Sequence, residues 1–473
     1  MTRRGGRRPA EPSARPDIAY TLDVVVVDRQ ASEVAAIAAA APGPVLVRVR
    51  DRRAPGWARL WLVADGETTL RRLEQQLRDQ LGSDLVSCAD LALERSRGGK
   101  TRTQAKVGLR DGDDLAFAYT PGVGRVAQRI AAAPAAVTDF TGKSNRVAIV
   151  TDGSAVLGLG NLGPAAALPV MEGKAALFAH LANIDAVPIC LDTQDIDGIV
   201  AAVTAIAPGF GGINLEDIAA PRCFVVEARL RAALDIPVLH DDQHGTATVV
   251  LAALRNALTV VGKRLDAARI VVLGAGAAGT AVTRLLLAAG ARDVIVWAPA
   301  GVLHPALMPE PPPHKQRLAA VTNPRGVRGG LPEALHGADA VIGVSAAGVL
   351  SRKLVKSMAP DPVVFALANP RPEIEPAEIA DLAAVVATGR SDHPNQVNNA
   401  LVFPGLFRGA LDSHLVELGT AVLLASAQAL TDLVAAPQAN RLLPDVLDPR
   451  VVPTVAAAVV GSVPAAGKQQ GSR

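Results

Sequence analysis

Cysteine is scarce in this chain. Cys88, Cys190 and Cys223 are the three present, and none stands at C-x-x-C spacing from another. An odd, scattered set excludes a disulfide framework and reads as reduced core thiols in a cytoplasmic protein. Aromatics are only 3% of residues, and no basic stripe interleaves with them, so a nucleic-acid partner is not expected. Charge of one sign is also lacking: the net is +3 over 473 residues, with the basic excess gathered at Arg3–Arg8 and Arg48–Arg53. The Arg-rich start is not followed by the apolar stretch of a secretory leader, since Val24–Val27 is too short. No apolar run of membrane-spanning length is free of charge. The strongest, Ile270–Gly290, carries Arg284.

What is abundant is apolar: 49% of residues, dominated by Ala, Val and Leu, with Gly plentiful beside them. That mix suits a helix-rich α/β enzyme with buried aliphatic strands. The length exceeds one core, so two or three domains are expected. Residues 1–16 form an Arg, Pro and Gly tail expected to be disordered. Residues 17–95 then alternate as strand Tyr20–Val27, helix Ala31–Ala40, strands Val45–Val49 and Trp57–Ala64 around an Arg-rich hairpin, helix Thr68–Leu81, and strand Leu85–Leu93. The order βαββαβ is ferredoxin-like. In order and size the segment resembles small regulatory domains of the ACT type. No ligand-binding motif is legible in it, and a plain dimerisation module fits equally. Gly98–Asp114 reads as a linker.

The next part opens with Tyr119-Thr120-Pro121-Gly122, a Pro–Gly turn with a tyrosine at its entrance. Strand Val147–Thr151 leads to a loop with Gly158, Gly160 and Gly163, and Lys174 precedes the apolar helix Ala175–Ala182. Lys174 is thus placed in a first helical turn, where the positive dipole end disfavours an ammonium and lowers its pKa toward that of a general base. Short apolar runs then alternate with helices, which predicts a parallel sheet. Two acidic pairs, Glu216-Asp217 and Asp241-Asp242, fall at predicted strand ends, where ligands collect in such sheets. Paired carboxylates repel unless a cation neutralises them. A long helix, Gly245–Gly262, connects to a second sheet. There, strand Arg269–Leu273 runs into Gly274-Ala275-Gly276-Ala277-Ala278-Gly279 and a helix, the dinucleotide fingerprint in its required context. The following strand ends at Ala298, where an acid would be expected to hold the ribose of NAD. Later strand ends carry Ser345, Asn369-Pro370 and Thr388, followed by Asn398-Asn399, Phe403-Pro404-Gly405 and a helix Leu415–Val434.

Taken together, Ala118-Tyr-Thr-Pro-Gly-Val, Val156-Leu-Gly-Leu-Gly-Asn-Leu-Gly, Val170-Met-Glu-Gly-Lys-Ala, Gly211-Gly-Ile-Asn-Leu-Glu-Asp-Ile, His240-Asp-Asp-Gln-His-Gly-Thr-Ala, the Gly274 fingerprint, Ala368-Asn-Pro and Gln396-Val-Asn-Asn resemble the malic enzyme family in its short bacterial form. The resemblance spans roughly residues 100–460. It implies a substrate and metal domain over 100–244, an NAD(P)-binding Rossmann domain over 245–436, and a terminal segment over 437–473, behind the ACT-like domain at 17–95. It implies oxidative decarboxylation of (S)-malate to pyruvate with reduction of NAD or NADP, and a need for Mg²⁺ or Mn²⁺. By resemblance, Glu216, Asp217 and Asp242 hold the metal, Lys174 is the general base, Asp241 orients it, and Tyr119 is the general acid. Asn369 and Asn398 bind the substrate carboxylate, with Asn399 a competitor. A homodimer or higher oligomer is implied, with no membrane partner. The loss of an acid at Ala298 leaves NAD or NADP open. Two other classes remain in view, a metal-free amino-acid dehydrogenase and a non-catalytic metabolite sensor. The clustered carboxylates argue against the first, and intact Tyr119 and Lys174 against the second.

Overall fold

The computed structural model describes residues 18–51, 56–307 and 312–462. The expected tail 1–16 lies outside these residues, as do the last part of the terminal segment, 463–473, and the tip of the Arg-rich hairpin. The chain divides into two compact units. One runs to Lys100 and includes Ser391–Pro394; the other comprises Thr101–Arg390 and the chain from Asn395 onward.

In the first unit the elements are β1 (Thr21–Val27), α1 (Ala31–Ala39), β2 (Val45–Asp51), β3 (Trp57–Ala64), α2 (Glu67–Leu81) and β4 (Leu85–Asp90). The sheet order is β2-β3-β1-β4 with every pair antiparallel. Alternation builds the core: Leu22, Val24 and Val26 of β1 are buried in one cluster with Leu70, Leu73, Leu77 and Leu81 of α2. The last strand stops at Asp90, short of the expected Leu93. The Asp90 carboxylate accepts from the backbone N–H of Ala92 and Leu93 and caps a short helix, α3 (Leu91–Ser96).

The second unit begins with α4 (Gly112–Ala118) and α5 (Gly122–Ala132). The last residues of the supposed linker therefore already start a helix, with the Asp111 carboxylate accepting from Asp114 N–H. The substrate half holds β5 (Arg146–Thr151), α6 (Pro164–Ala182), β6 (Asp185–Cys190), α7 (Ile196–Ile206), β7 (Gly212–Leu215), α8 (Arg222–Ala233) and β8 (Val238–His240), with parallel order β6-β5-β7-β8. Helix α9 (Asp241–Val260) leads to β9 (Arg269–Leu273), α10 (Ala277–Ala288), β10 (Asp293–Ala298), β11 (Gly301–Val302), β12 (Ala340–Gly343), β13 (Val363–Ala366) and β14 (Val385–Thr388). This sheet has the order β11-β10-β9-β12-β13-β14, parallel except for β11. Three helices follow, α11 (Phe403–Ser413), α12 (Thr420–Asp432) and α13 (Val451–Gly461). The expected helix Leu415–Val434 is the shorter α12, and α11 had no forecast. No helix among the described residues is long and apolar enough to cross a membrane.

Helix α9 is the spine of this unit. Fourteen of its residues are buried, as a helix apolar on nearly every side requires. Its core is continuous from Ile149 and Leu239 of one sheet to Val272 and Phe365 of the other. Three phenylalanines meet in this core: Phe178 of α6 lies 4.7 Å from Phe403 and 5.5 Å from Phe407, centroid to centroid. Two boundaries correct the sequence reading. Helix α9 starts at Asp241, so the second acidic pair forms its first turn rather than preceding it. Helix α6 starts at Pro164, so Lys174 sits mid-helix, and the dipole argument for it does not apply. Pro169 and Gly173 disguised that helix, whereas Pro164 starts it with a φ already suited to a first turn.

Candidate active site

Parallel strands β7 and β8 end side by side, and their carboxyl ends deliver the two acidic pairs to one place. Helix α6 lays Lys174 across them. Its ammonium, 7% exposed, donates to Glu216 Oε2 at 2.5 Å and to Asp241 Oδ2, and lies 4.3 Å from the centroid of the Phe403 ring. Asn214 donates to the same Glu216 oxygen at 3.0 Å, and Asn399 to Asp241 Oδ2 at 2.6 Å. Asp217 N–H donates to Asp242 Oδ2 at 2.8 Å, locking one acidic pair to the other. Asp217 itself is held at φ 53, a left-handed conformation uncommon outside glycine.

The electrostatics are one-sided. Burial raises the Glu216, Asp217, Asp241 and Asp242 carboxyls above their ordinary range; neighbouring carboxylates push the same way, and Lys174 only partly offsets this. Burial works against the Lys174 ammonium, but Asp241, Glu216 and Asp242 outweigh it and hold the proton on more tightly than usual. This is opposite to the lowering expected from sequence. Asp217 Oδ2 and Asp241 Oδ1 are buried with no hydrogen-bond partner. Such a set of hard, under-compensated oxygens fits a divalent cation of the Mg²⁺ or Mn²⁺ kind. The ligands are not converged: among the described residues no group of three or more His, Cys, Asp or Glu side chains is placed to hold an ion. Glu216 is instead engaged by Lys174 and Asn214.

The dinucleotide turn is built as its glycines demand. A Cβ on Gly274 would stand 2.5 Å from Val344 O, and one on Gly279 2.0 Å from Gly274 O. Ala277 begins α10, so Gly276 stands at the helix N-terminus, where a pyrophosphate is accommodated. The buried His314 ring lies with Nε2 3.1 Å from Ala275 O and pins the turn. Ala298, buried at the end of β10, presents no group to a ribose.

The family model "Malic enzyme, N-terminal domain" matches residues 98–231, and "Malic enzyme, NAD binding domain" matches 243–298 and 331–463. The NAD-dependent malic enzyme of Geobacillus stearothermophilus is 50% identical over 388 residues, 82% of this chain and 81% of that one. The chain belongs to the malic enzyme family. An NADP-dependent malic enzyme of Rhizobium meliloti is 44% identical over 385 residues, 77% of this chain and 50% of that one. The crystal structure of the NAD-dependent malic enzyme of Thermotoga maritima superposes with a TM-score of 0.76 at 45% identity, over 78% of this chain and 99% of that one.

Within this malic enzyme fold, Lys174, Glu216, Asp217, Asp241 and Asp242 meet as a cluster. Asn369 is exposed at the end of β13, and its backbone oxygen crowds Gly158 of the substrate loop, where a Cβ would stand 2.4 Å away. Of the two competing amides, Asn399 joins the cluster, while Asn398 Oδ1 accepts from Ala400 N and caps a local turn. Tyr119 is not brought in: it is 66% exposed, and its hydroxyl has no hydrogen-bond partner among the described residues. Three supporting groups had no forecast. Asp152, fully buried, accepts from Ser154 and Arg222. Glu373, also fully buried, accepts from Ser345 and Ala368 N–H and ties β12 to β13. Glu227 accepts from the chain around the second acidic pair. Its signal was available, since it shares the helical face of Cys223, Val226 and Leu230, where a carboxylate must have partners.

Proposed function

We propose that this chain oxidises (S)-malate to pyruvate and carbon dioxide, reducing NAD or NADP, with Mg²⁺ or Mn²⁺ required. The observation that carries the reading is the buried Lys174, set between Asp241 and Glu216 at the ends of two parallel strands, in one unit with a dinucleotide turn. Glu216, Asp217 and Asp242 would hold the cation, which when bound supplies Lewis acidity to the substrate oxygens. The Gly274–Gly279 turn would hold the dinucleotide, whose nicotinamide supplies the hydride acceptor. Lys174 Nζ takes the hydroxyl proton as the hydride departs from the same carbon, leaving a 2-keto acid. Two of the three carboxylates that fasten the proton on Lys174, Glu216 and Asp242, are assigned to the cation, so their neutralisation favours the free amine. Asp241 keeps Nζ aimed, and Asn399 keeps Asp241 aimed. After carbon dioxide is lost, the enol carbon is protonated by Tyr119, with Lys174 returning its proton. Asn369 binds the substrate carboxylate.

Tyr119 lies on an arm whose helices α4 and α5 bury none of their residues, and which exposes Leu115, Phe117 and Val123. Exposed apolar side chains grouped on one short arm call for a partner surface. In our reading a second copy of the chain covers it, and Tyr119 serves the Lys174 cluster of that copy. The enzyme is then an obligate homodimer or a higher oligomer. In the same reading the segment 17–95 is an ACT-like regulatory domain, 100–244 and 245–436 are the substrate and dinucleotide domains, and the three free cysteines support a cytoplasmic location.

The test is malate-dependent formation of reduced nicotinamide with Mn²⁺, with NAD and NADP in parallel and Lys174→Ala as control. Metal-dependent turnover lost in the variant is expected. Turnover that survives chelation, or survives in the variant, overturns the mechanism.

A further inference from the structure

Glu227 projects from α8 into the turn between β8 and α9, 6% exposed. One of its oxygens accepts the backbone N–H of His240 at 3.0 Å. The other accepts Gln243 Nε2 at 3.0 Å. His244 Nε2 lies 2.8 Å from the first oxygen and 3.0 Å from the second. A carboxylate offers only acceptors, so His244 donates from Nε2. The three donors flank Asp241-Asp242, one residue before the pair and the next two after it. Both ring nitrogens of His240 are buried without a hydrogen bond among the described residues, and Nε2 lies 3.8 Å from Asp242 Oδ2, beyond hydrogen-bond reach. Glu227 touches neither Asp241 nor Asp242 in any hydrogen bond or ion pair, and it acts on them only through the backbone it clamps.

We propose that Glu227 is the positioning residue of the second acidic pair: by gathering His240 N–H, Gln243 and His244 on one buried carboxylate it fixes the direction in which Asp242 meets the divalent cation and Asp241 meets Lys174. The inference rests on the metal reading given above. A glutamine at this position keeps the shape but presents an NH₂ to donors, so one side of the clamp must open.

The experiment compares full-length wild type with Glu227→Gln. Free Mn²⁺ is followed by electron paramagnetic resonance without malate or dinucleotide, and reduced nicotinamide binding by fluorescence. Outer groups that orient metal ligands are typically worth about ten- to a hundredfold in affinity, and a loss of that size for Mn²⁺ is expected, with dinucleotide binding unchanged. Should Glu227→Gln not fold, Gln243→Leu removes one donor, and a weakening of about threefold or more is expected by the same reasoning. Wild type that binds no Mn²⁺ overturns the metal reading itself. Wild type that binds, with folded variants within about twofold of it, overturns the positioning role alone. Parallel loss of Mn²⁺ and dinucleotide binding also overturns it, because that pattern is general damage to the fold.

Discussion

Asn399 reaches 158 residues back along the chain to donate from Nδ2 to Asp241 Oδ2 at 2.6 Å. The same oxygen receives Lys174, so an amide from beyond the last strand of the dinucleotide sheet helps to set the geometry of the base. Asn399→Ala removes a hydrogen bond to a buried charged acceptor, worth about 1.5–3 kcal/mol, or roughly ten- to a hundredfold in kcat/KM for malate. Asn398→Ala removes only a local cap and is expected to lower Tm by a few degrees, at a cost of about 1 kcal/mol, with a smaller kinetic effect. Steady-state kinetics on both variants decide the matter; equal losses would refute the distinction.

Stability of the metal-free protein should fall as pH rises. Burial, with mutual repulsion, raises the Asp217 carboxyl to about 8 and that of Asp242 to about 6. The folded state therefore binds protons that the unfolded state has released, and this contribution is lost as pH rises through those values. Lys174, also raised, stays protonated throughout this window and does not alter the sign. With chelator present, Tm is expected to be higher at pH 6 than at pH 8, and Mg²⁺ should narrow the gap by stabilising the ionised carboxylates. A Tm that rises with pH under chelation contradicts the description of the cluster.

Gly245 lies inside α9, where alanine normally gains about 1 kcal/mol. Here a Cβ would stand 1.8 Å from Asp241 Oδ1. Gly245→Ala is expected to displace Asp241 and reduce kcat by about tenfold or more, despite its better helix propensity. A more stable and fully active variant would show that Asp241 has room to move.

Much of this was legible because it is local. The run Arg269–Leu273, the glycines after it and the helix beyond are each dictated by residues within one βα unit, and the structure places them as read. Glu216-Asp217 and Asp241-Asp242 were visible as acids at strand ends for the same reason. What escaped was set by distant packing. Lys174 looked like a helix start because Pro169 and Gly173 suppress the local pattern, yet burial of Met171, Ala175 and Phe178 carries α6 through them. The lysine's proton affinity was misjudged because the dipole reading counted its own helix and not the three carboxylates facing it. Asn399 could not be separated from Asn398 by sequence, since only the fold shows which one turns toward Asp241.

The thiols should differ in reactivity. Burial pushes Cys223 up to about 12 and Cys88 up to about 11, and raises the half-buried Cys190 as well. The nucleophile is the thiolate, so native protein at pH 8 is expected to release colour from an aromatic disulfide reagent slowly and at Cys190 first. All three should react after denaturation. Fast labelling of Cys223 in the native state, located by peptide mapping, would mean that α8 opens readily.

The arm carrying Tyr119 allows a test that separates action within one chain from action across two. Phe117, two residues earlier, is 80% exposed, and neither α4 nor α5 buries any residue. Tyr119→Phe and Lys174→Ala are each expected to abolish turnover as homodimers. If Tyr119 serves the partner's cluster, a mixed dimer of the two variants contains one site with both residues intact and one with neither. Dissociating and re-forming an equal mixture should then restore about a quarter of wild-type activity, because half the dimers are mixed and each has one working site of two. If Tyr119 reaches the Lys174 of its own chain, every site in the mixture lacks one residue and activity stays at the level of the separate variants. Recovery requires subunit exchange, so the mixed species would first be verified by differential tagging and co-purification.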